Sequence, residues 1–188
     1  MKLKKLIVTL VFIVIIIFGS IKVLYGYMYP YKYGDIVNKY SKEYNLDPLF
    51  VLSVIKAESN FNSNAASHKD AQGLMQITDP TAKWAAEQMG ITDYNKDMLK
   101  NPEFNVRMGC WYLDNLKKEF GDKDLVLAAY NGGRGKVNQW LKDNQYSKNG
   151  KDLHYIPFKE TDKYVKKVNT NYKIYKFLYR NKYIKAIS

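Results

Sequence analysis

The sequence predicts a mainly α-helical single domain preceded by one membrane-spanning helix, and three observations carry that reading. A capping residue is followed by proline at Asp47-Pro48, Asp79-Pro80 and Asn101-Pro102. That pairing opens helices, because the first turn leaves its N–H groups unpaired and proline has none to lose. Apolar residues recur three and four positions apart, and convincing period-two alternation is missing. Finally, the unbroken run Val11 to Phe18 lies close behind Lys2, Lys4 and Lys5.

That run belongs to a longer segment, Leu6 to Ile21, which is apolar except for Thr9, Gly19 and Ser20. A spanning helix needs about 20 residues. The segment reaches this if Lys22 snorkels and Val23, Leu24 and Tyr25 are included, so residues 6–25 are assigned to the membrane. Lysines ahead of it predict a cytoplasmic N-terminus and an exported remainder. A cleaved signal peptide is the alternative. Cleavage after Ser20 or Gly26 would put Phe18 or Leu24 where a small residue belongs, which favours an uncleaved anchor. The expected division is an anchor over 1–28, a Tyr- and Gly-containing spacer over 23–34, and one domain over 35–188.

Within the domain, Ile36, Val37, Tyr40 and Tyr44 mark a first helix. Pro48 to Ser59 is the second, with Val51, Val54 and Ile55 as its apolar stripe. A small irregular β-element is expected in Ala65 to Gln72. Helices follow over Thr81 to Met89, ended by Gly90, and from Pro102 to Phe120, stopped by Gly121. Shorter helices, Leu125 to Tyr130 and Val137 to Leu141, are separated by a turn at Asn131-Gly132-Gly133. The last helix starts near Thr161 and steps through Val165, Val168, Tyr172, Tyr175 and Tyr179.

The 17 Tyr and 8 Phe exclude a disordered tail. With one cysteine, Cys110, no internal disulfide or two-cysteine metal motif is possible, and its apolar neighbours mark it as core. His68 and His154 have no ligand-spaced partner, so neither metal nor cofactor is expected. The 30 Lys and Arg against 18 Asp and Glu leave a net charge of +12, which calls for an anionic partner. Export makes nucleic acid an unexpected one.

The chemistry centres on Glu58. It stands seven, four and three residues beyond Val51, Val54 and Ile55, at the end of their stripe. A carboxyl in apolar surroundings resists ionisation, so its pKa rises toward the value a general acid needs near neutrality. A glutamate at a frayed helix end, turned to water, fits the pattern equally well.

The residues that follow extend the reading. Glu58-Ser59-Asn60-Phe61 is followed by Ala65, Ser67 and Ala71, then by Gly73-Leu74-Met75-Gln76-Ile77. Later come Ala129-Tyr130-Asn131-Gly132-Gly133, then Ile156-Pro157-Phe158 with Glu160-Thr161 and Tyr164-Val165. In this order they resemble the catalytic domain of the soluble lytic transglycosylase family, relatives of goose-type lysozyme, over about residues 33 to 180. The resemblance implies a lysozyme-like α+β fold with a peptidoglycan-binding groove. It also implies cleavage of the β-1,4 bond between N-acetylmuramic acid and N-acetylglucosamine, giving 1,6-anhydromuramyl ends. By position, Glu58 is the acid and then the base, and Ser67 supports it by hydrogen bonding. Gly73, Leu74, Met75 and Gln76 line the groove, Tyr130 and Asn131 sit near the acid, and Tyr164 is the closing tyrosine.

Taken singly, Leu74 and Met75 also suit a core, Gln76 a turn, and Tyr130 simple packing. One carboxylate can suffice where most glycosidases need two, because a substrate hydroxyl replaces the attacking water. Asp70 departs from the family pattern, which has glycine there. It reads as a turn residue tolerant of left-handed backbone, with a second carboxylate for hydrolysis as the alternative. A hydrolase on the same scaffold and a non-catalytic wall-binding component remain the competing functions. Lysines 163, 166, 167, 173, 176, 182 and 185 form a solvated face on the last helix and a candidate attractor of anionic wall polymers.

Overall fold

The computed structural model describes residues 2–187, apart from the side chains of Lys2, Leu3, Leu6, Lys22 and residues 180–187. The roles expected of Lys2, Leu6, Lys22, Lys182 and Lys185 therefore lie outside the described side chains. The elements are α1 (Lys2–Met28), α2 (Gly34–Glu43), α3 (Pro48–Glu58), β1 (Ala71–Gln72), β2 (Ile77–Thr78), α4 (Asp79–Gln88), a 3-10 turn (Lys96–Lys100), α5 (Pro102–Phe120), α6 (Lys123–Gly132), α7 (Arg134–Lys142) and α8 (Lys159–Ile187).

Helix α3 is enclosed on every side. Eight consecutive residues, Pro48 to Ile55, are buried, more than two turns, so no face is left to solvent. The expected stripe of Val51, Val54 and Ile55 is thus one part of a helix wrapped by its neighbours. Helix α8 packs along it and also against α6, while α2 packs on α3 and in turn against α5. The buried Asn171 of α8 donates to the Ser53 carbonyl at 3.3 Å. The Asp47 carboxylate caps α3 by accepting from the Leu49 amide at 2.8 Å, as the Asp-Pro signal predicts.

Other boundaries shift for local reasons. Asp79 is the first residue of α4 and not its cap; its carboxylate accepts from the Tyr94 hydroxyl at 2.8 Å and pairs with Lys83 at 3.0 Å. Asp122 caps α6 through the Asp124 and Leu125 amides, starting that helix two residues early. Asn131 and Gly132 stay helical, so the expected three-residue turn shrinks to Gly133 with φ 92°. The β-element is a hairpin pairing Ala71 with Thr78 and Gln72 with Ile77, with a further bridge from Ala66 to Gln72.

Helix α1 corrects the spacer. It runs unbroken through Met28, so residues 23–28 continue the helix. Its apolar stretch, Ile7–Met28, has 22 residues, with an 18-residue window of mean hydropathy 2.8, long enough to cross a bilayer. The chain then rejoins the domain. Tyr175 and Tyr179 of α8 donate to the carbonyls of Pro30 at 3.1 Å and Tyr29 at 2.7 Å. The Tyr29 and Tyr175 rings meet edge to face at 5.6 Å. Residues 29–33 are a packed junction.

Candidate active site

Glu58 is the last residue of α3. Its carboxyl is crowded by protein yet keeps part of its surface open. Burial raises its pKa from 4.5 to about 7, against a smaller downward pull from the Tyr164 hydroxyl and the Lys167 charge. A carboxylate at a helix C-terminus also faces the negative end of the helix dipole, which acts in the same direction as burial. The group is therefore poised between acid and base near neutrality.

Two tyrosines accompany it. Tyr164 is buried in α8, and its hydroxyl faces Glu58 closely enough to act on its charge. It nevertheless meets no partner at hydrogen-bonding geometry among the described residues. A buried donor short of a partner is uncommon, and this one lies beside the carboxyl. Tyr130, in the last turn of α6, also senses the Glu58 charge. Its hydroxyl is committed to the Met75 carbonyl at 2.8 Å, so it fastens α6 to the hairpin loop.

That loop, Gly73 to Gln76, is held from inside the protein. Asn105 of α5 is fully buried. Its Oδ1 accepts from the Met75 amide at 2.8 Å, and its Nδ2 donates to the carbonyls of Gln72 at 2.8 Å and Leu99 at 2.9 Å. Gly73 has φ +79°, and a Cβ there would lie 2.3 Å from Asn105 Nδ2; only glycine allows both the turn and the contact. Ser59 Oγ donates to the Leu74 carbonyl at 2.8 Å, tying the loop to the end of α3. Gln76, at φ 49°, donates from Nε2 to the Ala65 and Gly73 carbonyls at 3.0 Å each.

Leu74 and Met75 correct the expectation that they line the groove: both side chains are fully buried. Gly109 makes room for Met75, since a Cβ there would fall 2.3 Å from its sulfur. Their contribution is to seat the loop, because apolar side chains with a core available leave water.

Ser67 also differs from its expected role. Its hydroxyl oxygen accepts from the Lys69 amide at 3.2 Å and the Ala71 amide at 3.1 Å. It shapes the turn into β1, and among the described residues no hydrogen bond joins it to Glu58. Asp70 occupies that turn at φ 61°, the left-handed conformation that aspartate tolerates. Its exposed carboxylate pairs with Lys96, which lowers its pKa. Asn131 opens on a cavity of about 450 Å³ shared with Lys69, Phe158 and Glu160. Lys69 and Glu160 form an ion pair across it at 3.6 Å.

Asn105 went unnoticed in the sequence, while Ser59 and Lys167 were noted only as a motif residue and as part of a lysine face, without the roles they take here. Asn105 did leave a signal, standing four residues before Gly109 and eight before Leu113 on the inward face of α5. An asparagine in such a place needs buried partners. Among the described residues no group of three His, Cys, Asp or Glu is placed to hold a metal ion. Burial pushes the Cys110 thiol pKa up, so it behaves as a small apolar core residue.

The site thus sets one ionisable acid among hydroxyl and amide groups, with the Lys167 charge nearby, an arrangement suited to moving a proton beside a polar, uncharged substrate. The family model "Transglycosylase SLT domain" matches residues 35–153. The soluble lytic murein transglycosylase of Salmonella typhimurium is 32% identical over 143 residues, covering 74% of this chain and 22% of that protein. The membrane-bound lytic murein transglycosylase C of Cronobacter sakazakii is 30% identical over 177 residues, covering 78% and 47%. An inactive mutant of the lytic transglycosylase Slt from Pseudomonas aeruginosa superposes with a TM-score of 0.69 at 32% identity, covering 79% of this chain and 24% of that one. The chain therefore spans about a fifth to a half of the length of these relatives. The family match ends before α8, and the structure places Tyr164 of that helix beside Glu58. Its similarity over more than half its length makes this chain a member of the transglycosylase SLT domain family.

Proposed function

We propose that this chain is a lytic transglycosylase that cleaves the β-1,4 bond between N-acetylmuramic acid and N-acetylglucosamine in peptidoglycan. The observation that carries the reading is Glu58: a carboxyl with a pKa of about 7, partly open, beside the hydroxyl of Tyr164 and the loop held by Tyr130.

Protonated Glu58 gives its proton to the glycosidic oxygen as the C1–O bond of the muramyl residue breaks. The carboxylate left behind takes the proton of that residue's C6 hydroxyl, and the freed oxygen attacks C1. The products are a free 4-hydroxyl on the departing sugar and a 1,6-anhydro ring, and the acid is restored. No water is consumed, so a second carboxylate is not needed. The pairing of Asp70 with Lys96 supports this one-carboxylate route. Developing charge on Glu58 would be met by Tyr164, the donor that lacks a full partner in the free protein.

The apolar helix α1 supports a single-pass topology with the N-terminus in the cytoplasm and the domain outside. The names of the membrane-bound relatives are compatible with anchoring. Mass spectrometry of the products from purified peptidoglycan tests the activity: anhydromuramyl ends from the wild type, and none from Glu58→Gln. Reducing muramyl ends would instead establish a hydrolase, and unchanged wall lysis by Glu58→Gln would establish that the acid lies elsewhere.

A further inference from the structure

A cavity of about 600 Å³ opens between the last turn of α3 and α8. It gathers four ammonium groups, those of Lys56, Lys163, Lys166 and Lys167, together with Tyr29 and Asn60, and no acidic side chain lines it. Lys166 is paired with Asp162 at 2.7 Å. The others have no carboxylate partner among the described residues: Lys167 donates to the Ala57 carbonyl at 2.7 Å, and Lys56 to Asn60 Oδ1 at 2.5 Å. Like charges gathered in a concavity repel, and a bound anion relieves that repulsion. Burial lowers the Lys56 pKa, and the nearby Lys167 charge adds to that lowering.

Position identifies the anion. Tyr29 directly follows α1, whose apolar stretch ends at Met28, and the Lys56 ammonium lies 5.2 Å from its ring centroid. The cavity thus opens within one residue of the membrane helix, at the level where aromatic rings and lipid headgroups meet. We propose that this pocket binds the phosphate headgroup of an anionic membrane lipid. The inference rests on the reading of α1 as a membrane anchor.

Lys167 links the pocket to the acid. The groups facing Glu58 are Tyr164 and Lys167 of α8 and Tyr130 of α6. Of these, Lys167 carries the charge, and it pulls the Glu58 pKa down.

The test is a titration of the full chain in neutral detergent with short-chain phosphatidylglycerol, followed by calorimetry. Saturable one-to-one binding is expected. Lys56→Gln/Lys163→Gln should weaken it by about tenfold or more, at roughly 1 kcal/mol for each lysine near a phosphate. The exposed single change Lys163→Gln, which leaves the core untouched, should weaken it by about fivefold. Lys148→Gln/Lys151→Gln removes the same charge from the loop between α7 and α8 and should leave the affinity unchanged. Equal weakening by the two double variants would reduce the binding to diffuse attraction and overturn the pocket. Phosphatidylcholine binding as tightly, or soluble poly(glycerol phosphate) binding more tightly, would overturn the anionic lipid as its occupant. Binding is read without substrate, so this result and the muropeptide result stand or fall separately.

Discussion

Helix α8 carries tyrosines at two places and uses them in opposite ways. Toward the anchor, Tyr175 and Tyr179 each give their hydroxyl proton to a backbone carbonyl of the Tyr29-Pro30 junction. At the catalytic end, Tyr164 is also buried but holds its hydroxyl short of a partner, beside a carboxyl that burial has made reluctant to ionise. A satisfied hydroxyl contributes about 1 kcal/mol to stability, whereas an orphaned one costs about 1–3 kcal/mol. One end of the helix is therefore built to hold. The other keeps a donor and an acid incompletely satisfied, and so available to a substrate.

The largest expected break in this contrast is Glu58→Gln. Turnover of purified peptidoglycan should fall by about 10²–10⁴-fold, while the junction variant Tyr175→Phe keeps near-normal turnover. Comparable loss in Tyr175→Phe would erase the division of labour along α8.

Asn105→Ala comes next, because it strands the Met75 amide and the Gln72 and Leu99 carbonyls at once. Urea unfolding should show a loss of about 3–5 kcal/mol, accompanied by loss of activity as the Gly73–Gln76 loop comes free. A stable Asn105→Ala protein with intact turnover would show that the loop needs no buried anchor.

Glu58 also predicts a pH-dependent stability. Its folded pKa of about 7 lies above the ordinary 4.5, so between these values the folded chain holds a proton that the unfolded chain has shed. Stability contributed by protonated Glu58 is present below about pH 4.5 and is lost as the pH rises through about 7. That loss amounts to up to about 3 kcal/mol. Unfolding midpoints at pH 5 and pH 8 should differ in the wild type and converge in Glu58→Gln. A slope that persists in the variant would have to come from another group.

The smallest effect separates the two tyrosine sets directly. Tyr164→Phe should hold or gain up to about 1 kcal/mol of stability, and Tyr175→Phe should lose about 1 kcal/mol. Tyr164→Phe should also move the alkaline limb of the rate profile upward, since the Tyr164 hydroxyl pulls the Glu58 pKa down. Tyr175→Phe should leave that limb in place.

Much of this contrast was already visible in the chain. The Asp-Pro and Asn-Pro pairs located the starts of α3, α4 and α5 to within two residues. Spacing alone put Glu58 at the end of an apolar stripe, and Val165, Val168 and Tyr175 on the inward face of α8. Groups that act through distant partners were not visible. Ser67 looked like a support for the acid, but its hydroxyl oxygen is taken by the amides of its own turn, two and four residues on. Met75 looked like a groove residue until Gly109, thirty-four positions away, turned out to leave a hole of its shape.

Local chemistry in the sequence determined where helices begin, which residues must leave water, and which carboxyl could be an acid. It could do so because caps, prolines and helical periodicity act over a few residues. Only the tertiary structure decided that Glu58 would be crowded enough to hold its proton near neutrality, that Tyr164 would stop short of it, and that four lysines would share one pocket beside the anchor. Burial, unmet hydrogen bonds and summed charge depend on which distant segments are brought together, and that is a property of the packed molecule.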